Sequence, residues 1–108
     1  MKIRLTISSR SKGVYAEAIY DGNTVTVLPG GTISKDFAEH IQGGKKARSF
    51  RDNPEYVDKN RRIIKECIFT SPSTAAQFVT GRSTNGYVAW KVDDKESLGK
   101  YLKKNGLR

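Results

Sequence analysis

A hairpin is the feature that most narrows what this chain can fold into. Val14 to Tyr20 and Thr24 to Leu28 are two β-type runs, and Asp21-Gly22-Asn23 separates them. Asp-Gly supplies the positive φ angles of a tight hairpin turn, so the two runs are expected to pair antiparallel. Ile3, Leu5 and Ile7 alternate with Lys2, Arg4 and Thr6, the period-two pattern of a half-buried strand. Ser8 to Gly13 reads as a turn or loop. Pro29-Gly30-Gly31 closes the third strand, because proline has no ladder donor and glycine permits a sharp bend.

The second half has helical punctuation. Ser71 is a good N-cap, and Pro72 then falls at the first helical position, where its missing N–H costs nothing. Ala75, Ala76, Phe78 and Val79 form the body, and Gly81 is a natural stop. A helix over Pro72 to Thr80 is expected. Asn85-Gly86 reads as a turn leading into a strand from Tyr87 to Val92. Asp93-Asp94 would end that strand and cap a last helix from about Lys95 to Asn105, with Leu98, Tyr101 and Leu102 on one face.

Signals between Ile33 and Pro54 are weak. Phe37 to Ile41 suits one short helical turn, Gly43 to Arg51 a mobile basic loop, and Pro54 to Val57 a second short helix. Arg62 to Lys65 and Cys67 to Phe69 suit one or two strands. Strands come first, then helix, strand, helix, with no βαβ rhythm. The expectation is an α+β fold: a small antiparallel sheet of about five strands with two main helices. With 108 residues there is room for one core, so a single domain over 1–108 is expected.

Several chemistries find no support in the sequence. Cys67 is the only cysteine and sits in an apolar run, as a small buried hydrophobe would. A nucleophilic cysteine would want a histidine, and His40 is the only one. One cysteine and one histidine are too few for zinc. Gly30-Gly31 and Gly43-Gly44 lack the spacing of a phosphate-binding loop. Asp93 and Asp94 are adjacent, and neighbouring strand residues point to opposite faces, so they make a poor catalytic pair. No catalytic residue, cofactor or metal is expected. No apolar run approaches the roughly 20 residues of a membrane span, and the N-terminus alternates rather than forming a secretory apolar block. The expected location is the cytoplasm.

Charge is the remaining clue. The formal net charge is +9, and the excess lies in the last two-thirds of the chain. Such a surface attracts polyanions, nucleic acid above all, although a solvated basic face that maintains solubility has the same composition.

The densest motif is Phe69-Thr70-Ser71-Pro72-Ser73-Thr74-Ala75-Ala76, followed by Gly81-Arg82-Ser83-Thr84-Asn85-Gly86-Tyr87-Val88-Ala89-Trp90-Lys91. It resembles the signature of a bacterial domain of unknown function, the one numbered four-three-five-seven. That signature has an aromatic before Ser-Pro-Ser, two alanines, a helix, and Gly-Arg-x-x-Asn-Gly before Trp-Lys. Val27-Leu28-Pro29-Gly30 is similar to an earlier element, so the resemblance spans about Val14 to Leu98. Tyr87 stands where the family often has tryptophan, and no glycine lies between Asp93 and Ser97. The resemblance implies an accessory module of the kind appended to nucleases and restriction proteins. It is also similar to a restriction enzyme and adenine methylase-associated domain proposed to read modified DNA.

A strand from Tyr87 to Val92 would place Val88, Trp90 and Val92 on the core face and Tyr87 and Lys91 outward. An exposed aromatic beside a lysine suits stacking on a base, with Arg82 and Asn85 in the loop that feeds the strand. Tyr87 packed under the last helix is the alternative. Ser71 and Ser73 fit either a well-capped helix or a phosphate site at its N-terminus. The expected nucleic-acid contacts are therefore Arg82, Tyr87, Lys91, Ser71, Ser73 and Asn85, with DNA the favoured polymer. A protein partner without nucleic-acid binding is the other open reading.

Overall fold

The hairpin forms where the turn chemistry puts it. A computed structural model describes residues 1–9, 13–38 and 44–107. Strand β2 (Val14–Tyr20) pairs with β3 (Val25–Val27), and Ala18 lies opposite Val27. The Asp21 carboxylate accepts from the Thr24 and Asn23 amides, which pulls its pKa below the usual carboxylate range. Strand β1 (Ile3–Ser9) runs antiparallel to β2 with Ile3 opposite Tyr20, in a register that puts Ile3, Leu5 and Ile7 on the same face as Ala16 and Ala18. Strand β4 (Cys67–Phe69) adds beyond β3. On the other side of β1 lies β5 (Lys91–Val92), then β6 (Glu96–Ser97). The described strands make one antiparallel sheet in the order β4-β3-β2-β1-β5-β6.

One face of this sheet is the core. Leu5, Ala16, Ala18, Val25, Val27, Cys67 and Phe69 have no solvent exposure. The apolar side chain of each residue such as Leu5 or Phe69 contributes about 1.5–3 kcal/mol on burial. The opposite face carries Arg4, Thr6, Tyr15, Glu17, Ile19, Thr26 and Ile68, all at least partly exposed. There Glu17 accepts from the Tyr15 hydroxyl at 2.8 Å and pairs with Arg4, and these two partners hold its carboxyl below the usual range.

Helix α2 (Pro72–Thr80) covers the core face and follows its sequence signals residue by residue. Ser71 Oγ accepts from the Thr74 amide at 3.1 Å, Pro72 opens the first turn, and Gly81 closes the helix at φ +71°. Ala75, Ala76, Gln77, Phe78 and Val79 are all buried, because sheet and helices surround α2. Because β4 and β5 both run antiparallel to the direction of β1 and β3, the segment between them is a crossover that passes the three strands β3, β2 and β1.

Four sequence expectations need correction. The expected strand from Tyr87 is instead the helical turn α3 (Gly86–Ala89), with only Lys91 and Val92 extended. Asn85 is the reason: its Oδ1 accepts from the Tyr87 amide at 3.0 Å, which caps a helix rather than starting a ladder. Val88, expected in the core, is 59% exposed. The expected mobile loop contains helix α1 (Lys45–Arg51), which is held by buried Ala47 and by Phe50 packed edge-on against Tyr56, Phe69 and Phe78. Lysine and arginine are good helix formers, and the glycines before them obscured that. Pro54 to Val57 forms a turn, in which Tyr56 and Val57 donate to the Asn53 carbonyl. Finally, α4 (Leu98–Lys104) begins later than expected. Ser97 caps it, while Asp93 and Asp94 take φ +55° and +59° in the turn between β5 and β6. The Arg62 to Lys65 region makes only isolated bridges, through Arg62 and Ile63. Most of the helical turn expected at Phe37 to Ile41, and His40, lie outside the described residues.

Cys67 is fully buried, and burial pushes its thiol up to about 12. Its Sγ donates weakly to the Lys65 carbonyl. At about pH 8 the thiolate population is then on the order of a thousandfold below that of a free cysteine. The native protein is expected to resist an aromatic disulfide reagent and to react stoichiometrically once unfolded in guanidinium. Rapid labelling of the folded protein would show that the β4 packing is misplaced.

Candidate nucleic-acid interface

The residues of the Ser-Pro-Ser and Asn-Gly motifs meet in space. Ser73 Oγ accepts from the Gly86 amide at 3.0 Å, and the Pro72 carbonyl accepts from the Trp90 indole at 3.0 Å. Gly86 lies so close to α2 that a Cβ on it would sit 2.1 Å from the Pro72 carbonyl carbon and 2.4 Å from the Ser73 nitrogen. Only a residue without a side chain permits this contact. The motif therefore works as a clamp that docks α3 onto the first turn of α2 and seats Trp90, which is fully buried. Ser71 Oγ is used in capping α2 and Ser73 Oγ in the clamp, and Gly86 packs against the first turn of the helix.

The other expected contacts separate. Asn85 remains exposed after capping α3. Tyr87 is half-buried and packs against the core. Lys91 Nζ donates to the Val88 carbonyl at 2.9 Å, at the C-terminal end of α3. Loss of strand alternation removes the shared outward face once expected for Tyr87 and Lys91. Arg82 is exposed, immediately after the left-handed Gly81.

Arg82 borders a cleft that no sequence motif announced. The segment from Ser34 to Ala38 runs beside the end of α2: the Ser34 amide donates to the Val79 carbonyl and the Ala38 amide to the Gly81 carbonyl, each at 2.8 Å. Between them is a cleft of about 460 Å³ lined by Lys35, Asp36, Phe37, Thr80, Gly81 and Arg82, among others. Arg51 fixes one wall. Its guanidinium donates to the carbonyls of Phe78 and Ser34, each at 2.6 Å, and of Asp36 at 3.2 Å. Burial lowers its pKa to about 10, still charged at neutral pH. Arg48 and Arg51 place their guanidinium carbons 5.1 and 5.0 Å from the Phe37 ring centre, within cation–π range.

Sequence reasoning named Arg82 here and missed Lys35, Phe37, Arg48 and Arg51. The three-residue spacing of Arg48 and Arg51 was a usable signal, since it places both on one side of a helix, but only once α1 is recognised as a helix.

Residues 5–102 match a family model described as Domain of unknown function (DUF4357). The chain belongs to this family. The family match covers the clamp, the cleft and nearly all of the sheet. No curated protein and no solved structure matches the chain. Among the described residues no helix is long and apolar enough to cross a membrane.

Proposed function

We propose that this chain is a cytoplasmic, non-catalytic accessory module that binds nucleic acid. The cleft beside Gly81 is its main contact. One observation carries the reading: Lys35 and Arg82 line the cleft together with the half-buried Phe37, whose ring the Arg48 and Arg51 guanidiniums hold in place, and Asp36 is the carboxylate among the described lining residues. A basic concavity with an aromatic wall is the arrangement that attracts a phosphate backbone and offers a stacking surface. The formal net charge of +9 supplies the long-range attraction. The resemblance to restriction-associated domains favours DNA, in a restriction or defence setting.

Fluorescence anisotropy with labelled oligonucleotides across salt concentrations tests this. Expected dissociation constants are roughly 1–100 μM at physiological salt. Arg82→Ala is expected to lower the slope of log affinity against log salt by about one unit, the loss of one phosphate contact. Absence of binding at low salt would end the nucleic-acid reading.

A protein partner is the second reading, and the uncovered sheet face favours it. Ile68 is 50% exposed and Tyr15 45% exposed there, with Ile19 and Thr26 on the same face. Exposed apolar groups on an open sheet suit a protein contact better than a polyanion.

A further inference from the structure

We infer that the cleft beside Gly81 receives an unpaired nucleotide of a single strand rather than the backbone of an intact duplex. This rests on the nucleic-acid reading above and adds which form of the polymer the site selects.

Three features of the cleft lead there. The first is shape. The space is concave and about 460 Å³, inside the range of about 300–1,000 Å³ that encloses one compact ligand. A single nucleotide is a ligand of that class. A duplex presents a convex ridge of phosphates and would rest on the rim.

The second is Phe37. It lines the cleft and is half-buried, and the guanidiniums of Arg48 and Arg51 lie over its ring, so a base meets the part of the ring that faces the cleft. Aromatic side chains bind unpaired bases by stacking, and each such contact contributes about 1–3 kcal/mol. Inside a duplex the base faces are already stacked on their neighbours, so the ring has nothing to meet.

The third is the sign of the lining. Lys35 and Arg82 stand on opposite chain segments, one before Phe37 and one after Gly81, and both are exposed. They can take the phosphates on either side of an inserted nucleotide. Asp36 is exposed between Lys35 and Phe37. A carboxylate repels a backbone threaded through the cleft. It accepts well from the amino group of a base such as cytosine, and an unpaired base offers both hydrogens of that group where a paired one offers a single hydrogen in the major groove.

The test compares three probes with the intact 108-residue chain: a labelled cytosine-rich single strand of about 15 nucleotides, the same strand annealed to its complement, and free cytidine monophosphate as competitor. The single strand is expected to bind at least tenfold tighter than the duplex at equal salt. Phe37→Leu is expected to weaken single-strand binding between fivefold and a hundredfold while leaving duplex binding within twofold. Lys35→Ala, at an exposed position, is expected to lower the single-strand salt slope with an unchanged melting temperature, so the inference stays testable if Phe37→Leu does not fold. Duplex binding as tight as single-strand binding would overturn the inference and leave nucleic-acid binding standing. Cytidine monophosphate competing as well, per nucleotide, as the strand would assign the site to free nucleotides and overturn it also. No binding of any probe would overturn both this inference and the reading it rests on.

Discussion

Trp90→Ala is expected to cost about 3–5 kcal/mol, the range for truncating a large core aromatic. Trp90 is fully buried and is the only tryptophan in the chain. Its loss also removes the hydrogen bond that the indole N–H donates to the Pro72 carbonyl, a net contribution of about 0.5–1.5 kcal/mol. Small domains have total stabilities of about 5–15 kcal/mol, so this variant is expected to be largely unfolded or close to it. Trp90→Phe separates the two contributions, since it keeps much of the apolar volume and removes only the donor. Urea unfolding followed by circular dichroism measures both variants. A loss below about 1 kcal/mol for Trp90→Ala would mean that the clamp does not hold α3 to α2.

Gly81→Ala is expected to cost about 2–5 kcal/mol, from two sources. The backbone at Gly81 is left-handed, at φ +71°, which costs a residue with a Cβ about 1–2 kcal/mol. The added Cβ would also lie 1.9 Å from the Asp36 carbonyl oxygen and 2.5 Å from Ser34 Oγ. Relieving such overpacking costs about 1–3 kcal/mol more. Gly106 is an internal control. It has nearly the same φ, +69°, but nothing lies within 4 Å of its Cβ position. Gly106→Ala should therefore show the conformational cost alone, about 1–2 kcal/mol. Equal losses at the two sites would mean that the 34–38 segment does not press on the end of α2, and the cleft wall described here would be wrong. Because the clash pushes at Asp36 and Ser34, Gly81→Ala is also expected to weaken oligonucleotide binding in whatever fraction remains folded.

The parts of the fold legible in the sequence were those controlled by local chemistry. Asp21-Gly22 specifies its own turn, and Ser71, Pro72 and Gly81 specify both ends of α2, so each was readable without a partner. What failed depended on distant residues. Asn85-Gly86 has the composition of a turn into a strand. The Asn85 cap makes it a helix start, and the Gly86 amide bonded to Ser73 Oγ, thirteen positions away, fixes that start against α2. Arg51 reads as one more cation in a basic stretch until α1 packs and brings it under the carbonyls of Ser34, Asp36 and Phe78. Two residues of the family signature have a structural use that the sequence does not reveal: Ser73 accepts from the Gly86 amide and joins α2 to α3. Arg82 is exposed after the helix stop, and Lys35 and Phe37 across the cleft come from a segment with no periodicity to read.

The placement of β5 has a consequence for how the chain comes off the ribosome. Val92 lies opposite Leu5, so strand β1 gains its second neighbour only after about 85 further residues have emerged. Until then β1 to β4 and α2 can assemble, but the β1 edge stays open and the core lacks Trp90. Contacts this distant in sequence close slowly, because the intervening loop must be ordered first. During synthesis the nascent hairpins are therefore the segment most exposed to aggregation and chaperone capture. Any truncation that removes β5 and α4 returns the protein to that vulnerable state.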